Sequence, residues 1–547
     1  MPVVRQVRGD LVVFEHAMGM TGFVSHQWVR KEHPDPGFQR MRVLQDVLRK
    51  LLYSKGSVPL DAITESVAPS AKPIPFEEFQ SQPFFLWYDY FSVPQLGRVE
   101  DEMAKAIASI PAYVSRCRHF FALCPTIACE DRVLNLFSWS RRGWCRLERC
   151  CRELSEHDNW VLIQGATSVE VVGTTASLEA SPVGLGAFTQ ESDRARLAPV
   201  MRAVVRRKLM LSLVAGDFEA YRRHLNLQSV YLQGFDLEPV RSLLPADEQD
   251  EVDGFLHQNG LTDVNLRDAA GWWPLHYAAL AGRLSVVSGL LKRRAEPNNR
   301  SFKDQPQLGF APLVSALDLA LTFKHNEVAS ALLAARAELH RGLLPDMTAA
   351  AQVNNVEGIK LLCAAGGDVR VQNLFGFSAL QVGAGFGALA AVEEIHRQVP
   401  HSRLELSKAL FFATSYRGGS AEMVNYLISL KADVDFQWDV RRDMSRFGRL
   451  FTAAQALRHS FSQGTALSAV SYHYHGKTPL MAAIHSAQHE AAAALIAAGA
   501  KLDTANCRGW RAADFARGQC MPDWLQQGLA GNASECQRVC SFINSSD

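Results

Sequence analysis

The chain lacks a long apolar run, an excess of charge of either sign and a regular cysteine spacing. No stretch approaches the roughly 20 apolar residues that a membrane-spanning helix needs, and the N-terminus lacks the features of a secretory signal. Lys and Arg number 57 against 56 Asp and Glu, so electrostatics gives no reason to expect a nucleic acid or a membrane as partner. The 11 cysteines fit no disulfide scaffold, and reduced thiols in the cytoplasm are expected.

The length indicates more than one folded part. Single hydrophobic cores rarely exceed about 250–300 residues, and this chain has 547. Apolar residues make up 48% of it and charged residues 21%, which is typical of globular proteins. Two or more domains with packed cores are therefore expected.

A helix–turn–helix unit occupies residues 268–299, which read DAAGWWPLHYAALAGRLSVVSGLLKRRAEPNN. Gly271 suits a tight turn, and Pro274 stands where a helix begins. Ala278 and Ala279 are small where two helices would cross, and Gly282 ends the first helix. The second helix carries an apolar stripe of Val286, Val287, Leu290 and Leu291.

This unit recurs about seven or eight times, with Ala351 and Ala384 one 33-residue period apart. Further copies lie at 315–339, 348–369, 375–395, 413–435 and 476–503, with divergent opening units at 211–225 and 255–268 and a closing half-unit at 508–518. The pattern resembles the ankyrin repeat. That resemblance implies an all-α solenoid at 200–530, with an insertion at 436–475 and a C-terminal tail at 531–547.

An ankyrin solenoid implies binding rather than catalysis. Each unit leaves an apolar face that only its neighbour can bury, so the units stack into a curved array. We expect the concave surface of this array to bind a protein partner, and we expect neither a nucleic acid nor a membrane as a partner.

The first 165 residues have a different pattern. Amphipathic helical stretches alternate with buried apolar runs, which lie at 23–28, 84–91, 118–125 and 159–164. This alternation predicts a doubly wound α/β domain with a parallel sheet. Residues 55–83 are interpreted as a loop insertion, and residues 166–199 as a linker with a connecting helix.

Four motifs of this domain occur in the order VSHQW, WYDYFSVPQ, FFALCP and RRGWCRLE. Their order, and the Trp-Cys-x-x-Glu of the last motif, resemble TIR domains, which have a flavodoxin-like sheet. In enzymatic TIR domains the Glu of this helix is required to cleave NAD between nicotinamide and ribose. The resemblance therefore implies that Glu148 is catalytic, that NAD is a substrate rather than a cofactor, and that the domain self-associates.

Ligands of doubly wound sheets bind at the carboxyl ends of the strands. The candidate substrate-binding residues at these ends and on the Glu148 helix are Ser25, His26, Trp28, Asp89 and Trp144. We expect the helix dipole to keep Glu148 ionised by about 0.3–1 kcal/mol. A fixed carboxylate would stabilise the oxocarbenium-like state of N-glycosidic cleavage.

Other interpretations stay open. Glu148 and Arg152 are spaced as a solvated i,i+4 salt bridge, Trp28 can pack on the sheet edge, and Asp89 can cap a turn. The cysteines match no zinc spacing, so no metal site is expected. HQWVRKEHPDP replaces the family's Arg-rich segment after the first strand. An NAD-cleaving effector, a non-catalytic adaptor and an unrelated nucleotide-binding domain therefore all remain possible, within a protein of signalling or defence.

Overall fold

The computed structural model has an α/β module, residues 12–214, followed by a helical array. It describes residues 12–30, 33–67, 71–93, 99–129, 132–157, 159–173, 182–240, 250–303, 310, 312–339, 344–416, 418–461, 464–519 and 521–544. Among these residues, no helix is both long enough and apolar enough to span a bilayer.

The module is built on a five-stranded, mostly parallel sheet. The strands of the module are β1 (Met20–His26), β2 (Ser57–Val58), β3 (Ile74–Pro75), β4 (Phe84–Tyr88), β5 (His119–Leu123), β6 (Ile127–Ala128), β7 (Val133–Leu134), β8 (Trp160–Ile163) and β9 (Val169–Val172). The large sheet has the order β4-β1-β5-β8-β9, while β2–β3 and β6–β7 form small sheets. The pairs β4–β1, β1–β5 and β5–β8 are parallel, whereas β8–β9 is antiparallel.

Helices cover both faces of this sheet. They are α1 (Gln39–Tyr53), α2 (Ala62–Val67), α3 (Phe76–Gln80), α4 (Asp89–Ser92), α5 (Val99–Arg116), α6 (Leu136–Arg141), α7 (Gly143–Glu153) and α8 (Ser192–Val214), with short 3-10 turns at His16–Met18 and Val183–Leu185. Neighbouring strand residues point to opposite faces. Phe23 accordingly packs into the core under α5, α7 and α8, and Val24 into the core under α1.

Two predicted loops belong to the fold. In the 55–83 segment, Val58, Ile74 and Phe79 are buried in the α1 core, because apolar residues recur between the Pro and Ser residues. In the predicted linker, residues 169–172 form β9 at the sheet edge, and α8 packs against the module core. The parallel-sheet prediction is thus correct except for this antiparallel edge strand.

The array consists of stacked helical hairpins. They are Pro274–Ala281 with Leu284–Lys292, Ala316–Thr322 with Asn326–Ala334, Asp346–Gln352 with Val356–Ala364, Ala379–Gly385 with Leu389–Gln398, Arg403–Ser415 with Ala421–Ser429, and Pro479–His485 with His489–Ala497. Phe218–Asn226, Gln228–Tyr231 and Glu251–Gln258 precede them, and Ala512–Ala516, Asp523–Leu529 and Ser534–Asn544 follow. Ala278 and Ala482 are both fully buried, and Gly282 ends its helix with φ of 70°.

The two irregular parts of the array are helical. The 436–475 segment leaves the stack and forms the helices Val440–Asp443, Arg446–Phe461 and Ala466–Tyr472. Residues predicted as a C-terminal tail include a packed helix, in which Cys536 and Val539 are fully buried. Their i,i+3 spacing gives this helix an apolar face that covers the last repeat.

Candidate active site at the strand ends

The order of the strands reverses its direction between β1 and β5. From β1 the chain crosses to β4 on one side, and it then returns to add β5 on the other side. Counted in chain order, the five strands have the order 2-1-3-4-5, which is the flavodoxin-like arrangement. Ligands of such sheets bind where the direction of winding changes, beyond the carboxyl ends of the strands. Ser25 and His26 end β1 at this point.

Ser25 joins the sheet to the helix that carries Glu148. Its buried hydroxyl donates a 2.5 Å hydrogen bond to Glu148 Oε2 and accepts one of 3.0 Å from Trp139 Nε1. Trp139 is 1% exposed and lies on α6. The hydroxyl is thus held in a fixed orientation, with its single proton directed at the carboxylate.

The charge state of Glu148 differs from the prediction. Burial raises the pKa of Glu148 to about 8; the hydrogen bond from Ser25 opposes this change, and the negative charge of Asp89 adds to it. The helix dipole acts mainly within the first turn, and Glu148 is the sixth residue of α7. The prediction that the dipole keeps this carboxylate ionised was therefore wrong, because desolvation is the larger effect.

A second polar network ties the end of β1 to the end of β4. His26 Nε2 lies 2.8 Å from Asp89 Oδ1, and Trp28 Nε1 donates to Asp89 Oδ2 at 2.9 Å. Asp89 also accepts a 2.6 Å hydrogen bond from the amide of Tyr90, the next residue in the chain. Burial would raise the pKa of Asp89, but the charge of His26 and these hydrogen bonds outweigh it and lower the pKa.

Aromatic rings surround this network. The His26 ring stacks on Tyr88 at 4.3 Å, and Trp28 meets Tyr90 edge-on at 5.9 Å. Trp28 and Tyr90 are partly exposed, so their rings are available to a planar ligand. The predicted loop from Tyr90 to Val99 includes residues 94–98, which lie outside the described part of the chain.

Two predicted contacts differ in the structure. Trp144 directs its Nε1 to Asp193 on α8 at 3.1 Å, so it braces the connecting helix. Arg152 is buried and donates to the main-chain carbonyls of Cys117, Arg118 and Asn159. Glu148 and Arg152 are therefore not arranged as a solvated salt bridge. Glu148 instead accepts a hydrogen bond from Ser25.

Two residues of the site were not predicted from the sequence. Trp139 orients Ser25 through a hydrogen bond. The only local sign of this role in the sequence was the position of Trp139 in SWSRRGW, shortly before α7. Arg40 is buried on the same face of α1 as Leu44, Val47 and Leu51. A charge on the apolar stripe of an amphipathic helix was a readable signal, since such positions normally hold apolar residues.

A groove of about 1240 Å³ lies elsewhere on the module, among α5, α8 and the end of α7. Pro111, Leu154, Val200 and Arg207 line it. Ser25 and Glu148 are not among its lining residues.

The array also contacts the module close to the candidate site. Asn135 Nδ2 donates a 2.6 Å hydrogen bond to Glu490 Oε2, and Thr126 Oγ1 lies 3.2 Å from His489 Nδ1. Asn135 Oδ1 accepts from the amide of Ser138 and so caps α6, the helix of Trp139. One side chain of the module therefore bonds both to the array and to the helix that orients Ser25.

Comparison with known proteins identifies the repeats. Residues 270–302 match the family model of the ankyrin repeat. Among solved structures, the chain is similar to the crystal structure of the human ASB11 ankyrin repeat domain, at 20% identity and a TM-score of 0.33, over 47% of this chain and 97% of that one. No curated protein matches the chain. Residues 270–302 are thus an ankyrin repeat, and repeats of this class indicate a role in protein–protein interaction.

Proposed function

We propose that this chain is a signalling or defence protein in which a TIR-like module cleaves NAD and an ankyrin array binds a protein partner. The observation that supports cleavage most strongly is the position of Glu148. Its carboxyl group meets the end of β1 at the point where a flavodoxin-like sheet binds ligands, and Ser25 fixes its orientation.

The proposed reaction breaks the bond between the nicotinamide nitrogen and the ribose carbon. The bonding electron pair leaves with nicotinamide, which becomes neutral, and the ribose develops oxocarbenium character. Ionised Glu148 stabilises this positive charge, and water then adds to the ribose carbon and releases a proton. The positive nicotinamide ring of bound NAD lowers the pKa of a neighbouring carboxyl group, so substrate binding itself favours the ionised form.

The array supplies recognition in this proposal. Its hairpins bury their alanine-rich faces against each other, as Ala278, Ala320 and Ala350 show at equivalent helices, which leaves the outer surfaces for a protein partner. The module is expected to work when it self-associates, and the contact of Glu490 with Asn135 offers a route from the array to the site.

The alternative is an adaptor without catalysis. The engagement of both Asp89 oxygens by His26, Trp28 and Tyr90 favours it, because a ribose would have to compete for those oxygens. In this alternative the strand-end network only stabilises the module, and the chain works through protein contacts alone.

Nicotinamide release from NAD by the full chain tests the proposal. Glu148→Gln keeps the shape of the side chain and removes the carboxylate, so it should abolish release. Glu153→Gln is the matched control on the same helix, because Glu153 lies beside Arg149 at 3.5 Å and not beside Ser25. An equal loss of nicotinamide release in both variants would indicate damage to α7. If folded, self-associated wild type releases no nicotinamide, the non-catalytic adaptor is the function that the results support.

A further inference from the structure

Two buried polar side chains lie below the strand ends without a hydrogen-bond partner in the described part of the chain. Arg40 is 1% exposed and Tyr88 is 3% exposed. Nonetheless Nε and Nη1 of Arg40, and Oη of Tyr88, are unsatisfied among the described residues. Buried polar groups in proteins are paired in more than about 90% of cases, and an isolated buried guanidinium is strongly unfavourable. These groups therefore suit a ligand that supplies the missing acceptors.

Both groups belong to the candidate site. Arg40 is the second residue of α1, the helix that follows β1, and Tyr88 is the last residue of β4. Tyr88 also stacks on His26. Burial raises the pKa of the Tyr88 hydroxyl and of the Cys124 thiol, and the charge of Arg40 opposes both effects. Leu44 of α1 packs in one core with Tyr88 and with Leu123, the last residue of β5, so α1 lies against the ends of β4 and β5.

The local carboxylate does not satisfy Arg40. Asp35 Oδ2 accepts a 2.8 Å hydrogen bond from the amide of Met41, and its charge acts on Arg40 only through space. Asp35 thus offsets part of the positive charge without meeting the donors. An acceptor with one negative charge fits this balance better than a dianion, and each phosphate of a diphosphate diester carries one.

We propose that Arg40 and Tyr88 form a subsite for the diphosphate of a nucleotide, in which the guanidinium and the phenol hydroxyl donate to one phosphate. This subsite rests on the proposed function, since NAD carries a diphosphate diester that a single ribose separates from the bond that breaks. Arg40 positions the substrate, and Glu148 acts on the reacting atoms.

Titration calorimetry on the full chain tests the subsite without catalysis. The probes are ADP-ribose, which has the diphosphate, and nicotinamide riboside, which has no phosphate. Arg40→Met keeps the apolar stem and should weaken ADP-ribose binding at least tenfold, and Tyr88→Phe should weaken it several-fold. Arg42→Met is the matched control, because Arg42 is exposed on the same helix, and it should bind like wild type. Because nicotinamide riboside contains the bond that the proposed reaction breaks, its binding is measured with Glu148→Gln added to each of the four proteins, and it should bind equally to all four.

Thermal unfolding without ligand separates a ligand-binding role from a structural one. Removal of an unpaired buried charge should leave the unfolding temperature of Arg40→Met equal to or above that of wild type. A lower temperature, wild-type affinity of Arg40→Met for ADP-ribose, or no ADP-ribose binding by wild type would each overturn the subsite. Arg40-dependent binding without nicotinamide release would keep the subsite and refute cleavage. Release with an unchanged KM in Arg40→Met would keep cleavage and refute the subsite.

Discussion

The array and the α/β module use their buried polar groups in different ways. In the array several of these groups cap helices: Ser315 caps its helix together with Asp318, and Ser378 does so with Gln381. In the module Arg40 is buried and Glu148 is half-buried near the strand ends, and neither side chain caps a helix. Caps stabilise a fold, whereas a desolvated charge without a folding role is typical of a functional site. The proposed function accords with this contrast, with a partner bound on the surface of the array and the reaction at the strand ends of the module.

The largest effect is expected from Glu148→Gln on stability. A glutamate has a pKa of about 4.3 in an unfolded chain, and Glu148 has one of about 8 when folded. Between these values the folded protein holds a proton that the unfolded chain lacks, so the free energy of unfolding falls as the pH rises from about 4 to 8. At about 1.4 kcal/mol per pKa unit, the variant should be more stable than wild type by a few kcal/mol at pH 8.

Chemical denaturation of both proteins at pH 4, 6 and 8 measures this difference. The two should agree at pH 4 and separate progressively above it. Glu422→Gln, which changes an exposed glutamate of the array, should track the wild type at every pH. A constant difference between wild type and Glu148→Gln across this range would refute the raised pKa.

The next effect tests the array as a packed stack. Ala278 is fully buried where two helices cross, so Ala278→Leu should overpack the contact and reduce the free energy of unfolding by about 1–3 kcal/mol. Ala334→Leu is the control, because Ala334 is exposed in the next hairpin. Thermal unfolding followed by circular dichroism compares them, and equal curves for both variants and the wild type would disprove the repeat register.

The smallest effect concerns the contact between the two regions. Glu490 accepts two hydrogen bonds, one from the side chain of Asn135 at Oε2 and one from the Ala421 amide at Oε1. Glu490→Gln leaves one of these donors without an acceptor and should cost about 1 kcal/mol. Asn135 cannot turn its amide, since its oxygen already caps α6.

Asn135→Asp combined with Glu490→Gln reverses the donor and acceptor and should restore most of the lost stability. Asn135→Asp alone places two carboxylates together, so this variant should be less stable than Glu490→Gln and less stable than the double variant. Hydrogen exchange at the amides of α6 reports the contact directly, with faster exchange in the single variants. Unchanged exchange in both single variants would show that the array does not support α6.

The repeats and most of the module were predictable from the sequence, because short local patterns of residues define their helices and strands. Small residues recur where the helices cross, as at Ala278, Ala320 and Ala350, and the four parallel strands are short apolar runs. The strand at 169–172 was missed because its VEVV lies among small polar residues and pairs only through the tertiary fold. The helix at 534–544 was missed because, of the three buried residues in its described part, Cys536 and Cys540 are cysteines and only Val539 is a clearly apolar signal.

The site was only partly predictable, because its chemistry depends on contacts between distant segments. Glu148 and Ser25 are 123 residues apart in sequence, and so neither their hydrogen bond nor the desolvation that raises the pKa can be read from a motif. Trp144 shares a helix face with Glu148, yet Asp193 determines its direction. Arg40 was the exception, since its place on an apolar stripe was visible in the sequence.

The pH dependence of nicotinamide release tests the central claim most directly, because it links the raised pKa of Glu148 to the reaction. The value of kcat/KM reports the ionisation of the free protein, and only ionised Glu148 stabilises the positive ribose. For wild type, kcat/KM should rise with pH, with a midpoint near 8, and Glu148→Gln should show no release at any pH. A profile that stays level through this range, or release by Glu148→Gln at the wild-type rate, would contradict the account.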